Sequence, residues 1–172
     1  MADSKIAILL TLQHEGGYQN NPSDHANWSS GIIGVGRLVG TKYGITALDL
    51  PGADIEHLTP DDATAYYSKN YWKSNYSQIS SQPIANKLFD LGVLMGVGTA
   101  VKALQFVLNL TADGVFGPVT LASLNAATPV TAVAEKVLDE FKQQLKEHAK
   151  QIAAENPTEA KFLGGWETRI DS

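Results

Sequence analysis

Glycine crowds one stretch of an otherwise helix-patterned chain. Gly16, Gly17, Gly31, Gly34, Gly36, Gly40 and Gly44 all fall within 29 residues of a 172-residue sequence. A glycine in a helix interior costs about 1 kcal/mol relative to alanine, so a run this rich in glycine is expected to break the helical pattern. The spacing predicts a loop and a small irregular hairpin sheet over Tyr18–Thr46, with Ile32-Ile33 and Leu38-Val39 as its short β-type runs. Ahead of it, Ile6, Leu9 and Leu10 recur at helical spacing. A first helix is therefore expected over Ser4–Glu15, capped by Asp3 or Ser4 and stopped by Gly16-Gly17.

Beyond this stretch the pattern is helical. Thr59-Pro60-Asp61-Asp62 combines a capping hydroxyl, a proline at the first helical position and acids in the first turn, and predicts a helix to about Trp72. Gln82–Gly96 and Thr99–Asn109 read as two helices split by Gly96-Val97-Gly98. Asp113-Gly114 is a turn, and Gly117-Pro118 opens a short helix to about Ala127. The longest helix is expected from Pro129 to about Glu155, with Val130, Val133, Val137, Phe141, Leu145 and Ile152 as its apolar stripe. Asn156-Pro157 breaks it, and a last short helix is expected over Thr158–Gly164. The expected class is mainly α with a small β-hairpin or irregular sheet near the N-terminus. Two lobes, 1–80 and 81–172, are expected to pack as one globule.

Composition removes several chemistries. There is no cysteine, which excludes disulfides, thiolate zinc sites, iron–sulfur clusters and cysteine nucleophiles. The formal charge of −5 gives no bulk attraction for nucleic acid. The apolar run Ile6–Leu12 is too short to span a bilayer and lacks the basic flank and cleavage site of a secretory leader. The chain is thus expected to reside in the cytoplasm, as a monomer, with no membrane partner. His14, His25, His57 and His148 lie at no metal-ligand spacing. Neither a metal nor an organic cofactor is expected.

Two carboxylates stand out. Glu15 is placed at the end of the first helix, where the dipole and partial burial disfavour its charged form, as a general acid requires. Taken alone it reads as a solvated helix-end glutamate. Asp24 follows nine residues later in the polar turn Asn21-Pro22-Ser23-Asp24, a setting that keeps a carboxylate charged. Taken alone it is equally an Asx-turn aspartate. Together they meet the requirement of glycoside hydrolysis for two carboxyl groups in unlike environments.

These residues belong to longer motifs. His14-Glu15-Gly16-Gly17-Tyr18, Asn21-Pro22-Ser23-Asp24 and Gly40-Thr41-Lys42-Tyr43-Gly44-Ile45-Thr46 resemble glycoside hydrolase family 108, a family of N-acetylmuramidases that includes many bacteriophage endolysins. The order glutamate, eight residues, aspartate, then threonine also resembles the catalytic triad of phage-type lysozymes. Pro83–Asp90, Ala103-Leu104-Gln105, Asp113–Leu121 and Gly164–Arg169 resemble the peptidoglycan-binding region that usually follows. The resemblance implies a lysozyme-like helical fold with Glu15 as proton donor, Asp24 orienting or activating water, and Thr41 holding that water. The family usually passes from the aspartate to the threonine in a few residues, whereas His25–Val39 is inserted here, and Thr46 is the alternative to Thr41. The insertion is either a lip over a cleft or a surface elaboration.

Sugar rings present apolar faces rimmed with hydroxyls, which suits aromatic platforms with amide and carboxylate neighbours. Tyr18 and Tyr43 flank the motif residues, and Asn86 and Asp90, four apart on one helix face, are further substrate-binding candidates. A buried structural role is the alternative for Asp90, and core packing is the alternative for Tyr66, Tyr67, Tyr71, Trp72 and Tyr76. Trp166 and Arg169 read as an anchor of the C-terminus. The resemblance implies a peptidoglycan hydrolase cleaving between N-acetylmuramic acid and N-acetylglucosamine, released from the host cytoplasm through a holin. A non-catalytic wall-binding or secretion-accessory protein, or a lytic transglycosylase, is the alternative.

Overall fold

The computed structural model describes residues 1–172. Seven α-helices carry the chain: α1 (Ser4–Leu12), α2 (Pro60–Asn70), α3 (Gln82–Met95), α4 (Val97–Val107), α5 (Pro118–Ala127), α6 (Thr131–Glu155) and α7 (Leu163–Asp171). Between α1 and α2 lies a two-stranded antiparallel hairpin, β1 (Thr41–Lys42) and β2 (Ile45–Thr46). The class is mainly α with a small sheet, as the glycine distribution requires. None of the helices is long and apolar enough to cross a membrane.

The chain forms two compact units, Ile8–Asn70 and Met1–Ala7 with Tyr71–Ser172. They divide at 70/71, where the sequence pointed to 80/81. The reason is aromatic. The helix from Thr59 stops at Asn70 and not at Trp72, and a 3-10 turn follows over Ser74–Gln78. Trp72, Tyr76 and Ile79 then enter the core of the helical unit. Tyr76 is buried edge-on against Phe116, with ring centroids 4.9 Å apart.

Within the helical unit, α3 and α4 pack on each other and are divided by one residue, Gly96, at φ +89°. Gly98 falls inside α4, so the expected three-residue break is a single glycine. The other end of α4 closes as a Schellman motif. Leu110 N–H donates to Gln105 O, Asn109 N–H donates to Phe106 O, and Asn109 takes the left-handed conformation usually left to glycine. Helix α6 packs on α4 and α7 through Phe141, Leu145 and Ala149, which are buried. Val130 and Val133, expected in its stripe, are exposed.

The last helix differs most from its sequence pattern. The short helix expected over Thr158–Gly164 is instead a 3-10 turn at Ala160–Phe162 followed by α7, and Gly164-Gly165 lies in the first turn of α7. Tertiary contacts outweigh the low helix propensity of glycine. Ile170 is fully buried, Trp166 packs on the core, and Arg169 binds Asp90. Trp166 and Arg169 are thus the C-terminal anchor.

In the Ile8–Asn70 unit, Ile8, Ile45, Ile55, Leu58, Ala63 and Tyr67 are buried. The expected β-type runs Ile32-Ile33 and Leu38-Val39 do not form the hairpin. Ile32 and Ile33 are exposed in a turn, and Leu38 makes only a single bridge to Trp28. Helix α2 opens as expected: Asp62 accepts from Thr59 N and Oγ1 (2.9 and 2.6 Å), while Thr59 Oγ1 accepts from Asp62 N at 3.2 Å. This reciprocal capping box holds the Asp62 carboxyl below the usual carboxylate range, with the Thr59 hydroxyl as the leading cause.

Candidate active site

The hairpin is the organising element. Tyr43 and Gly44 form its two-residue turn with φ of +54° and +70°, the sign required of both central residues in the turn that matches strand twist. Thr41 pairs with Thr46, and Lys42 with Ile45. The segment leaving α1 runs alongside as a further rung. Gln19 and Thr41 exchange both backbone hydrogen bonds (2.9 and 2.8 Å), and Tyr43 N–H donates to Gly16 O at 3.0 Å.

That pairing brings Glu15 to the turn. A Cβ placed on Gly44 would lie 2.6 Å from Glu15 Oε2 and 2.8 Å from the Tyr67 hydroxyl. The half-buried Glu15 side chain therefore rests against the turn, beside a hydroxyl that itself donates to Tyr43 O at 2.8 Å. The sequence placed Glu15 in the last turn of a helix. Helix α1 instead ends at Leu12, and Gln13 and His14 continue in a tighter turn bonded to Leu10 O and Thr11 O. The surroundings of Glu15 come from Gly44 and Tyr67 more than from a helix terminus.

Asp24 and Thr41 meet through a pair of amides. Asp24 Oδ1 accepts from Ala26 N at 3.0 Å, capping the 3-10 turn His25–Asn27, and Oδ2 accepts from Gln19 Nε2 at 3.3 Å. Gln19 and Asn27 face each other, with Asn27 Nδ2 donating to Gln19 Oε1 (2.7 Å) and Gln19 Nε2 donating to Asn27 Oδ1 (3.0 Å). Thr41 Oγ1 donates to Asn27 Oδ1 at 2.7 Å. Asn27 is fully buried.

The inserted segment explains how Thr41 returns to this cluster. Val39 and Gly40 N–H both donate to Asn27 O, and Trp28 Nε1 donates to Pro22 O. The base of the insertion is thus tied, and the added residues project beyond it, with Ile32, Ile33 and Val35 exposed. Thr46, the alternative to Thr41, has its hydroxyl donated to Asp49 Oδ2 at 2.8 Å, a carboxylate that also accepts from Tyr66.

The remaining candidates divide between the two units. Tyr18 lines a shallow cleft of about 390 Å³ with Arg37, Leu38, Val39, Asp54 and Glu56, and its hydroxyl donates to Val39 O at 3.0 Å. Tyr43 is half-buried at the turn, with Lys42 Nζ 5.5 Å from its ring centroid. Asn86 and Asp90 belong to α3 in the helical unit. Asn86 Oδ1 accepts from Gln82 Nε2 (2.6 Å), and Gln82 in turn binds the backbone of Asp3. Asp90 is buried and takes a forked contact from Arg169, with Nε at 3.1 Å and Nη2 at 2.9 Å from Oδ1. Lys87 Nζ stands 4.0 Å from Oδ2, and burial is the main cause holding that ammonium below its usual range. The geometry gives Asp90 the buried structural role.

Gln19 and Asn27 were not singled out by the sequence, and Tyr67 was named only within the aromatic group for which core packing was the alternative. Gln19 and Asn27 are neutral amides with no chemistry of their own, and only the fold shows that they join Asp24 to Thr41. Gly44 carried part of the signal, since glycine supplies the positive φ that a two-residue hairpin turn needs, whereas Tyr43 at the other central position is not a usual turn residue.

A family model described as glycosyl hydrolase 108 matches residues 8–96, and one described as a predicted peptidoglycan domain matches residues 99–171. Among solved structures, that of Brucella abortus SagA is similar, with 25% identity and a TM-score of 0.70 over 98% of this chain and 89% of SagA. No curated protein matches the chain.

Proposed function

Because the chain belongs to the glycosyl hydrolase 108 family, a premise that makes it a glycoside hydrolase of lysozyme-like, mainly helical fold and, with the peptidoglycan domain behind it, a peptidoglycan hydrolase, we propose that it is a lysozyme-type N-acetylmuramidase. It cleaves the β-1,4 bond between N-acetylmuramic acid and N-acetylglucosamine. Glu15 protonates the glycosidic oxygen as the bond breaks through an oxocarbenium-like state. A water held by Asp24 and Thr41 attacks the anomeric carbon and passes its proton to the Asp24 carboxylate. Tyr18 and Tyr43 flank the sugar, and the reaction draws on neither a metal nor an organic cofactor. The observation that supports this most is the gathering, on one hairpin, of a half-buried glutamate against Gly44 and of Asp24 and Thr41 on one amide pair.

The biological setting that goes with this reading is lysis of a bacterial host by a monomer that waits in the cytoplasm for a holin. The test is a digest of purified sacculi by the wild type and by Glu15→Gln, with the products resolved by mass spectrometry. New reducing ends on N-acetylmuramic acid, lost in the variant, are expected. Reducing ends on N-acetylglucosamine or 1,6-anhydro ends would overturn the assigned bond or the use of water. Wall binding without any product would overturn the activity.

A further inference from the structure

Thr41 has a single hydroxyl hydrogen, and the hydrogen-bond network fixes where it goes. Asn27 Nδ2 donates to Asn21 O at 2.9 Å, and a carbonyl can only accept, so the orientation of the Asn27 amide is set. Gln19 Oε1 accepts from Asn21 N at 3.0 Å, and an N–H can only donate, so the Gln19 amide is set independently. The two assignments agree in the reciprocal pair between Gln19 and Asn27. Asn27 Oδ1 must then be the acceptor facing Thr41, and Thr41 must be the donor, at 2.7 Å. All four hydrogen-bonding positions of the Asn27 amide are filled, and the side chain is fully buried.

We propose that Asn27, supported by Gln19, is a positioning residue that makes the Thr41 hydroxyl an obligate acceptor towards the attacking water. The proposal rests on the hydrolytic reading above. With its hydrogen committed to Asn27, Thr41 offers only lone pairs. Asp24, a carboxylate, likewise only accepts. A water between them donates one hydrogen to each and is left with its own lone pair free for the anomeric carbon. A freely rotating hydroxyl could instead donate to that water and tie up the pair needed for attack. The atoms balance without any further reagent: the water oxygen forms the new bond, its proton goes to Asp24, and the leaving oxygen has taken the proton of Glu15.

The same arrangement gives the insertion a role. Asn27 lies within His25–Val39, and its carbonyl holds Val39 and Gly40, so one residue both ties the base of the added segment and orients Thr41.

The test is a double-mutant cycle on kcat with Asn27→Ala and Thr41→Val. Each single variant is expected to lower kcat about 10- to 100-fold with KM within a few-fold of wild type, up to the scale of a reacting group misplaced by about 1 Å. In the Thr41→Val background, Asn27→Ala is expected to lower kcat no further, and Thr41→Ser is expected to retain most activity. Losses that multiply would overturn the positioning role and assign Asn27 to the fold alone. If Thr41→Val itself keeps full kcat, the water-holding reading fails, which is a distinct outcome. Should Asn27→Ala not fold, the wild type still decides. A slowly exchanging Thr41 hydroxyl proton with an Overhauser contact to the Asn27 side chain is expected by NMR, and a hydroxyl in fast exchange would overturn the proposal.

Discussion

Gly44→Ala isolates the contact on which the acid assignment depends. Gly44 stands at φ +70°, and an added Cβ would sit 2.6 Å from Glu15 Oε2 and 2.8 Å from the Tyr67 hydroxyl. An L-residue in this left-handed region costs roughly 1–2 kcal/mol, and stability is expected to fall by at least that much, since the buried Tyr67 hydroxyl must also give way. The contact adds a functional cost. The Glu15 oxygen must retreat by roughly 0.8 Å to reach an ordinary 3.4 Å contact, and a 1 Å misplacement of a catalytic group costs on the order of 100-fold in rate. Gly34→Ala is the matched control, because Gly34 has φ +78° and nothing within 4 Å of an added Cβ. Urea unfolding and clearing of a sacculus suspension are measured on both variants. Gly34→Ala is expected to show the backbone cost alone and Gly44→Ala a larger loss of stability, because the buried Tyr67 hydroxyl must also move, with a loss of activity between 10- and 100-fold only in Gly44→Ala. Full activity in Gly44→Ala, or equal losses in both, would refute the placement of the acid against the turn.

Two further outcomes follow from the helical unit. Arg169→Ala leaves the buried Asp90 carboxylate without its forked partner, and breaking such a pair costs about 3–5 kcal/mol, so the urea midpoint is expected to fall sharply; a change under 1 kcal/mol would show that the pair does not anchor α7. Asp171 is held below the usual carboxylate range, first by its hydrogen bond from Lys146, with Nζ 2.5 Å from Oδ1. A lowered folded-state pKa means that the unfolded chain binds the proton first, so this stabilisation is complete above the ordinary carboxylate pKa and is lost as pH falls through the lowered value. Acid unfolding of Asp171→Asn should show a shallower dependence on pH than the wild type, and identical profiles would remove Asp171 from the acid response.

Local chemistry made several features legible before any coordinates. Thr59-Pro60-Asp61-Asp62 carries its own cap, and α2 begins there. Gly117-Pro118 likewise starts α5. These starts depend on groups within one turn of each other, so sequence suffices. The hairpin was anticipated within the glycine-rich stretch, but its strands were misplaced. Ile32-Ile33 has the right side chains for a strand and no partner to pair with, whereas Thr41–Thr46 has the turn and the neighbouring Gln19 backbone.

What the sequence determined alone was the class of fold, the principal helix starts and a set of acidic and hydroxyl residues whose order resembles that of phage-type lysozymes. Those follow from periodicity, capping and motif order, which are short-range. What only the tertiary structure decided was which groups touch. Gly164-Gly165 is helical because Ile170 and Arg169 are anchored far away in sequence, Asp90 faces a guanidinium, and Glu15 is held by a turn 29 residues further on. The amides of Gln19 and Asn27 have no reactivity to mark them. They matter through hydrogen bonds whose direction is set by fixed donors and acceptors on other segments, and that constraint exists only once the chain has closed on itself.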